Sequence, residues 1–352
     1  MSIYISLLVL GLMLILATRA NPDFERVSGV VYTVALAFIG MFRYDVGQDY
    51  FAYEIIYDDI AMNWNYGDSI EIGFRSVCWL CSEIDGTAQL MFALVSAATI
   101  ILVYKGLSYF SNDISLSLFV FMGIGQLYLN TFNAVRQAVA IALFVYGLRY
   151  IAQHKLIKYI LVMLLATSFH ASSIILVPLY WFLRRGWGKI SVMIAGAVLA
   201  VSGTVIINMI LNSSYAKYLM QDQFTSEVSA TNIMYFAMSV LIFLCSGFLM
   251  KGYKYRDILI NLNILSMFCF LLYQVFSDTP VMIVVTRLSY YFMIGYPLLF
   301  AMTIKYIDDK LIKSVMTFGL VALISFMFYR SSILNGDDYN LLPYTFNFKL
   351  FS

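Results

Sequence analysis

The chain has 352 residues, 62% of them hydrophobic and only 12% charged, with 22 Lys and Arg against 20 Asp and Glu. Its mean hydropathy is +0.82. Soluble domains carry about 25% charge, so this composition excludes a soluble globular protein and points to a multi-span, all-α membrane protein.

Twelve hydrophobic segments follow one another: Tyr4–Thr18, Val27–Phe42, Thr87–Tyr109, Ile114–Leu129, Phe132–Ile151, Leu156–Phe169, Ala171–Leu183, Lys189–Ile210, Asn232–Lys251, Ile258–Phe276, Val281–Tyr306 and Leu311–Tyr329. About 20 helical residues cross a hydrocarbon core roughly 30 Å thick. The segments ending at Phe169 and Leu183 are short, so they are either two spans or one. Charge decides between these. With two spans, 15 of the 22 basic residues fall beside one face, and only Arg43, Arg75, Arg136, Lys217, Arg287, Arg330 and Lys349 beside the other. The positive-inside rule places the first set in the cytoplasm, and a single span there would destroy the pattern. The first segment lacks a basic n-region and a small-residue cleavage pattern, so it reads as a span and not as a signal peptide. The expectation is one transmembrane domain over 1–352 with about twelve helices, both termini outside, an outer loop at 43–86 and an outer tail at 330–352.

Fourteen of the 20 acidic residues, Asp222, Glu227 and Asp278 among them, fall outside, nine of them in the 43–86 loop. Charges of this kind keep an exposed loop soluble. The start of the loop, Arg43-Tyr-Asp-Val-Gly-Gln-Asp-Tyr-Phe-Ala-Tyr53, also mixes charge with aromatics. Tyr50, Tyr53 and Tyr57 share a helix face, with Gly47 and Asp49 forming the turn that feeds it. That helix is either an interfacial amphipathic element or a platform that stacks sugar rings while Gln48 and Asp49 bond hydroxyls. Cys78-Trp-Leu-Cys81 reads as either a disulfide pair or two core thiols.

Asn130-Thr-Phe-Asn-Ala-Val-Arg-Gln137 opens a span at its outer end, with Asn133 expected as the N-cap and Arg136 about one turn inside. A cation there opposes the helix dipole, and intramembrane charges mark functional sites. Arg136 with free backbone N–H groups suits a phosphate; the competing reading is a side chain snorkelling to headgroups. His154 lies in a basic cytoplasmic loop. His170, in Ser168-Phe-His-Ala-Ser-Ser173, stands at an outer helix end as a general base, a phosphate ligand or a satisfied end-of-helix histidine. Arg287 follows the Asp278-Thr-Pro280 turn by about 10 Å of helix, with Tyr290 and Tyr291 beside it, and pairs either with a ligand or with Asp278. The tail Asn335-Gly-Asp-Asp-Tyr-Asn-Leu-Leu-Pro-Tyr344 either folds over the cavity or stays free.

Taken in order, Arg43-Tyr-Asp-Val-Gly-Gln-Asp-Tyr-x-x-Tyr53, Asn133-x-x-Arg-Gln-x-x-Ala140, Phe169-His-x-Ser172, Arg287-x-x-Tyr-Tyr291 and Leu342-Pro-Tyr344 resemble the EpsG group of Wzy-type polysaccharide polymerases. The resemblance spans nearly the whole chain. It implies a GT-C-like integral-membrane glycosyltransferase of the bacterial cytoplasmic membrane. Such an enzyme joins undecaprenyl-diphosphate-linked oligosaccharide units at the outer face, with no cofactor and no evident metal, beside a Wzz-type chain-length regulator. Under it, Arg136, Arg287 and Arg43 would hold the diphosphate and Asp49 or His170 would act as base. Gln48, Tyr50, Tyr53, Asn133, Gln137, Tyr290, Tyr291 and Tyr344 would contact sugars. No nucleic-acid partner is expected. A flippase for the same lipid-linked sugar is the first rival, but alternating access needs functional charge at both faces or the midplane. A membrane acyltransferase would need a donor site reachable from the cytoplasm, where the loops are short and merely basic. An O-antigen ligase is separated from a polymerase only by the order of the motifs.

Overall fold

The computed structural model describes residues 2–125, 127–199, 230–275 and 282–351. The expected charges Lys217, Asp222 and Glu227 and the Asp278-Thr-Pro280 turn lie outside the described residues. In chain order the helices are α1 (Ser2–Ala20), α2 (Glu25–Met41), α3 (Tyr50–Met62), α4 (Ile72–Ser82), α5 (Ala88–Phe110), α6 (Ile114–Gly123), α7 (Val135–Ala152) and α8 (Leu156–Phe169). They continue as α9 (Lys189–Leu199), α10 (Ala230–Cys245), α11 (Arg256–Val275), α12 (Met282–Met293), α13 (Tyr296–Lys305) and α14 (Lys310–Tyr329).

Among the described residues, seven helices are long and apolar enough to cross a membrane, and five further apolar helices have 10–17 residues there. These helices overlap the expected segments, and the part of the Lys189–Ile210 segment beyond 199 lies outside the described residues. The chain is therefore an all-α, multi-pass membrane protein. The fourth segment, expected to reach Leu129, stops as a helix at Gly123. The next begins at Val135, after a tight 3-10 turn over Leu129–Phe132.

The chain divides into two compact units, Met1–Tyr180 with Phe300–Ser352, and Trp181–Leu299. In the first, α7 packs against both α5 and α8, and α5 packs against α2. Of the α7 span, 72% is buried, against 11% for the span over Lys310–Leu334, so α7 is central and α14 peripheral. Lipid is as apolar as leucine, so close approach rather than exclusion from water holds such helices together. The run of Ala138, Ala140, Ala142 and Gly147 on α7, all buried, supplies that closeness. At one end of this unit Asp113 caps α6 by accepting from the Leu116 N–H and pairs with Arg19 at 2.6 Å. In the second unit Asn263 donates to the Ser239 carbonyl at 2.9 Å, joining α11 to α10, and Tyr235 stacks on Phe270.

The 43–86 loop, expected as an outer loop, folds into a helical hairpin of α3 and α4. The tail lies across it. Arg43–Tyr44 pairs antiparallel with Thr345–Phe346, and the Thr87 N–H donates to the Leu350 carbonyl at 2.9 Å. Tyr344 donates to the Ile39 carbonyl at 2.5 Å and Tyr4 to the Leu341 carbonyl at 3.1 Å. Of the two readings of the tail, the folded one holds. Cys78 and Cys81 are buried free thiols.

Candidate active site

Between Arg43 and α3 the chain turns at Gly47, which has φ +100°, and a Cβ there would stand 2.8 Å from the Phe132 carbonyl oxygen and Asn133 Oδ1. Only glycine takes this conformation without strain, and only glycine lets the loop reach the start of α7. From the tail, Asn340 donates to Asp45 Oδ1 at 3.1 Å, and its carbonyl accepts from the Gly47 N–H at 2.7 Å. Gln48 donates to the Asp338 carbonyl at 2.7 Å. The loop that begins the motif is thus held from both sides.

Arg43 is 0% exposed. Its guanidinium carbon lies 4.7 Å from the Phe92 ring centroid, 5.3 Å from that of Phe132 and 5.5 Å from that of Tyr50. Nη1 donates to the Val46 carbonyl, and Nε and Nη2 have no hydrogen-bond partner among the described residues. Ring faces attract a cation by up to about 2 kcal/mol each when water is excluded. Burial lowers the Arg43 pKa to about 10, against the opposing pull of Tyr50 and Tyr344, so the group stays charged at neutral pH. The guanidinium thus sits sealed beneath three rings, and the diphosphate role of Arg43 stays an expectation from the sequence. Tyr50, at 1% exposure, stacks on Phe92 and donates to Gln89 at 3.3 Å. Tyr50, Tyr53 and Tyr57 share one face, and all three are buried.

Arg136 enters as the second residue of α7. Ala134, not Asn133, takes the cap position, with no side-chain cap bond. The turn over Leu129–Phe132 carries Asn133 in helical backbone geometry, so its side chain cannot reach back as a cap, and its Oδ1 is buried without a partner. Arg136 is satisfied from elsewhere. Its Nη1 pairs with Glu71 Oε2, and the Tyr53 phenol bears electrostatically on the same guanidinium. The other carboxylate oxygen of Glu71 lies 3.4 Å from His170 Nδ1 and accepts from the Ala171 N–H at 3.2 Å. Burial alone would raise the Glu71 pKa, but His170, the Arg136 charge and the Ala171 amide together bring it down to about 2. Burial raises the Tyr53 phenol pKa while Arg136 opposes the rise.

The fold forces this meeting. Glu71 precedes α4 and His170 ends α8, and the two helices pack together. Gly73 makes the approach possible: a Cβ there would come within 2.6 Å of Ser168 Oγ and 2.7 Å of its carbonyl oxygen. Side chains of Arg136, Glu71 and His170 remain 24%, 18% and 18% exposed, so the cluster is open to a ligand. Chemically it is a carboxylate held by a guanidinium, an imidazole and a backbone amide, with the Tyr53 phenol beside the guanidinium.

Of the residues singled out in the sequence, the structure brings Arg136, His170 and Tyr53 together. Asp49 stands at the start of α3, exposed, and bears electrostatically on Tyr53. Gln48 is exposed, and Gln137 is buried in α7. Tyr344 is anchored to α2 through Ile39. Arg287, Tyr290 and Tyr291 lie on α12 in the second unit, respectively exposed, half-buried and buried. Glu71, which completes the cluster, did not stand out among nine loop acids. The Glu71-Ile-Gly-Phe74 step, an acid two residues before a glycine at the start of an apolar helix, was the signal to follow.

A family model described as the EpsG family matches residues 26–346. The chain belongs to the EpsG family. No curated protein and no solved structure matches it significantly. The matched span of this EpsG-family chain runs from the start of α2 through the strand Thr345–Phe346 and includes Arg43, Glu71, Arg136 and His170.

Proposed function

We propose that this EpsG-family protein is a polysaccharide polymerase, a glycosyltransferase of GT-C type. It joins oligosaccharide units carried on undecaprenyl diphosphate at the outer face of the bacterial cytoplasmic membrane. Twelve crossings with both termini outside, as the basic-residue count favours, would put the cluster on that face. The single observation that carries the reading is the convergence of Arg136, Glu71 and His170 at the head of α7 in a chain of this family.

In the proposed reaction an acceptor sugar hydroxyl attacks the anomeric carbon of the donor glycan. The bond from that carbon to the diphosphate oxygen breaks, and undecaprenyl diphosphate leaves with the electron pair. Arg136 meets the negative charge that develops on the leaving group, where fixed donors lower the barrier most. The acceptor's proton passes to His170 or Asp49. His170 is the better supported: its Nδ1 faces Glu71, which leaves Nε2 to take the proton. Arg287 is a further candidate for a phosphate ligand, and Gln48, which is exposed, for a sugar hydroxyl. An apolar cleft of about 390 Å³ between α1 and α14, lined by Tyr4, Ile5, Leu8, Phe326, Phe328 and Ile333, suits the hydrocarbon chain of such a carrier. A Wzz-type regulator is the proposed partner that sets chain length.

The test is a strain deleted for the gene, its surface glycan separated on a denaturing gel after complementation. The expected outcome is single units in the deletion strain, a ladder restored by the wild type, and no ladder with Arg136→Ala. A ladder from Arg136→Ala contradicts the site. Loss of even the single unit on deletion contradicts polymerisation and favours transport or ligation.

A further inference from the structure

The donor-binding reading of Arg136 leaves a difficulty that the structure itself resolves, and the inference here rests on that reading. The guanidinium expected to hold a phosphate already holds a carboxylate. Glu71 places one oxygen on Arg136 Nη1 and the other against His170 Nδ1 and the Ala171 N–H. A guanidinium, an imidazole and a backbone amide converge on the two oxygens of one carboxylate. A phosphate presents the same feature to the same donors, with more charge and one more oxygen to share.

We propose that Glu71 occupies the phosphate seat of the empty site, and that a diphosphate displaces it from Arg136 and from the Ala171 amide while Glu71 stays paired with His170. The seat's ligands are then Arg136 and the Ala171 N–H. Each part has a physical reason. Without Glu71 the ligand-free protein would hold a three-quarters-buried cation in the first turn of α7, where the helix dipole opposes it. With Glu71 the cation is neutralised, and the carboxylate keeps His170 as a partner when it leaves. The exchange swaps one charged pair for another and strands neither. Gly73 holds the α4 start close enough to α8 for Glu71 to reach both partners.

The consequence has an unusual sign. A carboxylate beside an anion site ordinarily weakens binding by repulsion; here it also competes for the seat, so its removal strengthens binding. A seat free about a tenth of the time lowers apparent affinity about tenfold, and that factor is what its removal returns.

The experiment measures calorimetric binding of inorganic pyrophosphate at pH 7 to the detergent-solubilised full chain, with thermal melting of every variant as the check on folding. Glu71→Gln is expected to bind about tenfold more tightly than the wild type, Glu71→Asp to fall between them, and Arg136→Ala to lose binding. Folded Glu71→Gln that binds no more tightly than the wild type overturns the exchange, while loss of binding in Arg136→Ala still upholds the donor-binding reading. Unchanged binding in Arg136→Ala overturns both. Should Glu71→Gln fail to fold, Glu71→Asp decides: tighter binding supports the exchange, and equal or weaker binding ends it.

Discussion

Arg43 and Arg136 both lie where the 43–86 hairpin meets the helix ends of the first unit, yet their surroundings differ in kind. Arg43 is sealed under Phe92, Phe132 and Tyr50, hydrogen-bonded to one carbonyl and strapped in by the tail. Arg136 keeps about a quarter of its side chain exposed and faces a carboxylate that is itself shared with His170. A cation satisfied by rings has nothing to exchange, whereas one satisfied by a carboxylate has. Position in a motif therefore does not assign a role; the nature of the counter-charge does.

The largest effect that sharpens this contrast is on stability. Arg43→Ala empties the aromatic cage and removes its cation, and is expected to cost about 3 kcal/mol, read as a lower melting temperature. Arg43→Met, apolar and of similar length, should recover most of it, as replacement of buried charge by packed hydrocarbon often does. In both variants the folded protein should bind pyrophosphate as the wild type does. Weakened binding at unchanged stability would put Arg43 back in the site and break the comparison.

Next comes geometry. Gly73→Ala sets a methyl against the Ser168 backbone and drives the start of α4 away from His170. A displacement of about 1 Å can cost up to about 100-fold in rate. Polymer formation should fall by that order, with a smaller change in melting temperature. A Gly73→Ala protein of full activity would show that the Glu71–His170 approach is dispensable.

The smallest effect is on acid stability. The folded pKa of Glu71, about 2, lies below its ordinary 4.5. Its contribution is therefore fully present above pH 4.5 and is lost as pH falls toward 2. The melting temperature of the wild type should drop across that window more than that of Glu71→Gln. Parallel curves would mean that the carboxylate is not held as strongly as its partners imply.

Much of this was legible in the sequence, for reasons of period and charge. Apolar runs located the helices, and the i, i+3, i+7 spacing correctly put Tyr50, Tyr53 and Tyr57 on one face. Spacing reports which residues share a face, not which way the face points, so the inward turn onto Phe92 was out of reach. Arg136 and His170 stood out because charge at an apolar helix end is costly. Glu71 did not, because an acid in a loop of acids looks like solvation until Gly73 is seen to press α4 onto α8. Asn133 reads as a cap in sequence, but the 3-10 turn before it shifts that position to Ala134. The tail's attachment depends on backbone pairing between residues 43–44 and 345–346, which no local pattern encodes.

The most direct test of the central claim uses the purified chain reconstituted in lipid with single undecaprenyl-diphosphate-linked repeat units from the deletion strain, without nucleotide sugar, ATP or a membrane gradient. The account predicts a ladder of lengthened glycan with one undecaprenyl diphosphate released per added unit, and no ladder with Arg136→Ala. Units that stay single with folded wild-type protein, or a full ladder from Arg136→Ala, would contradict it.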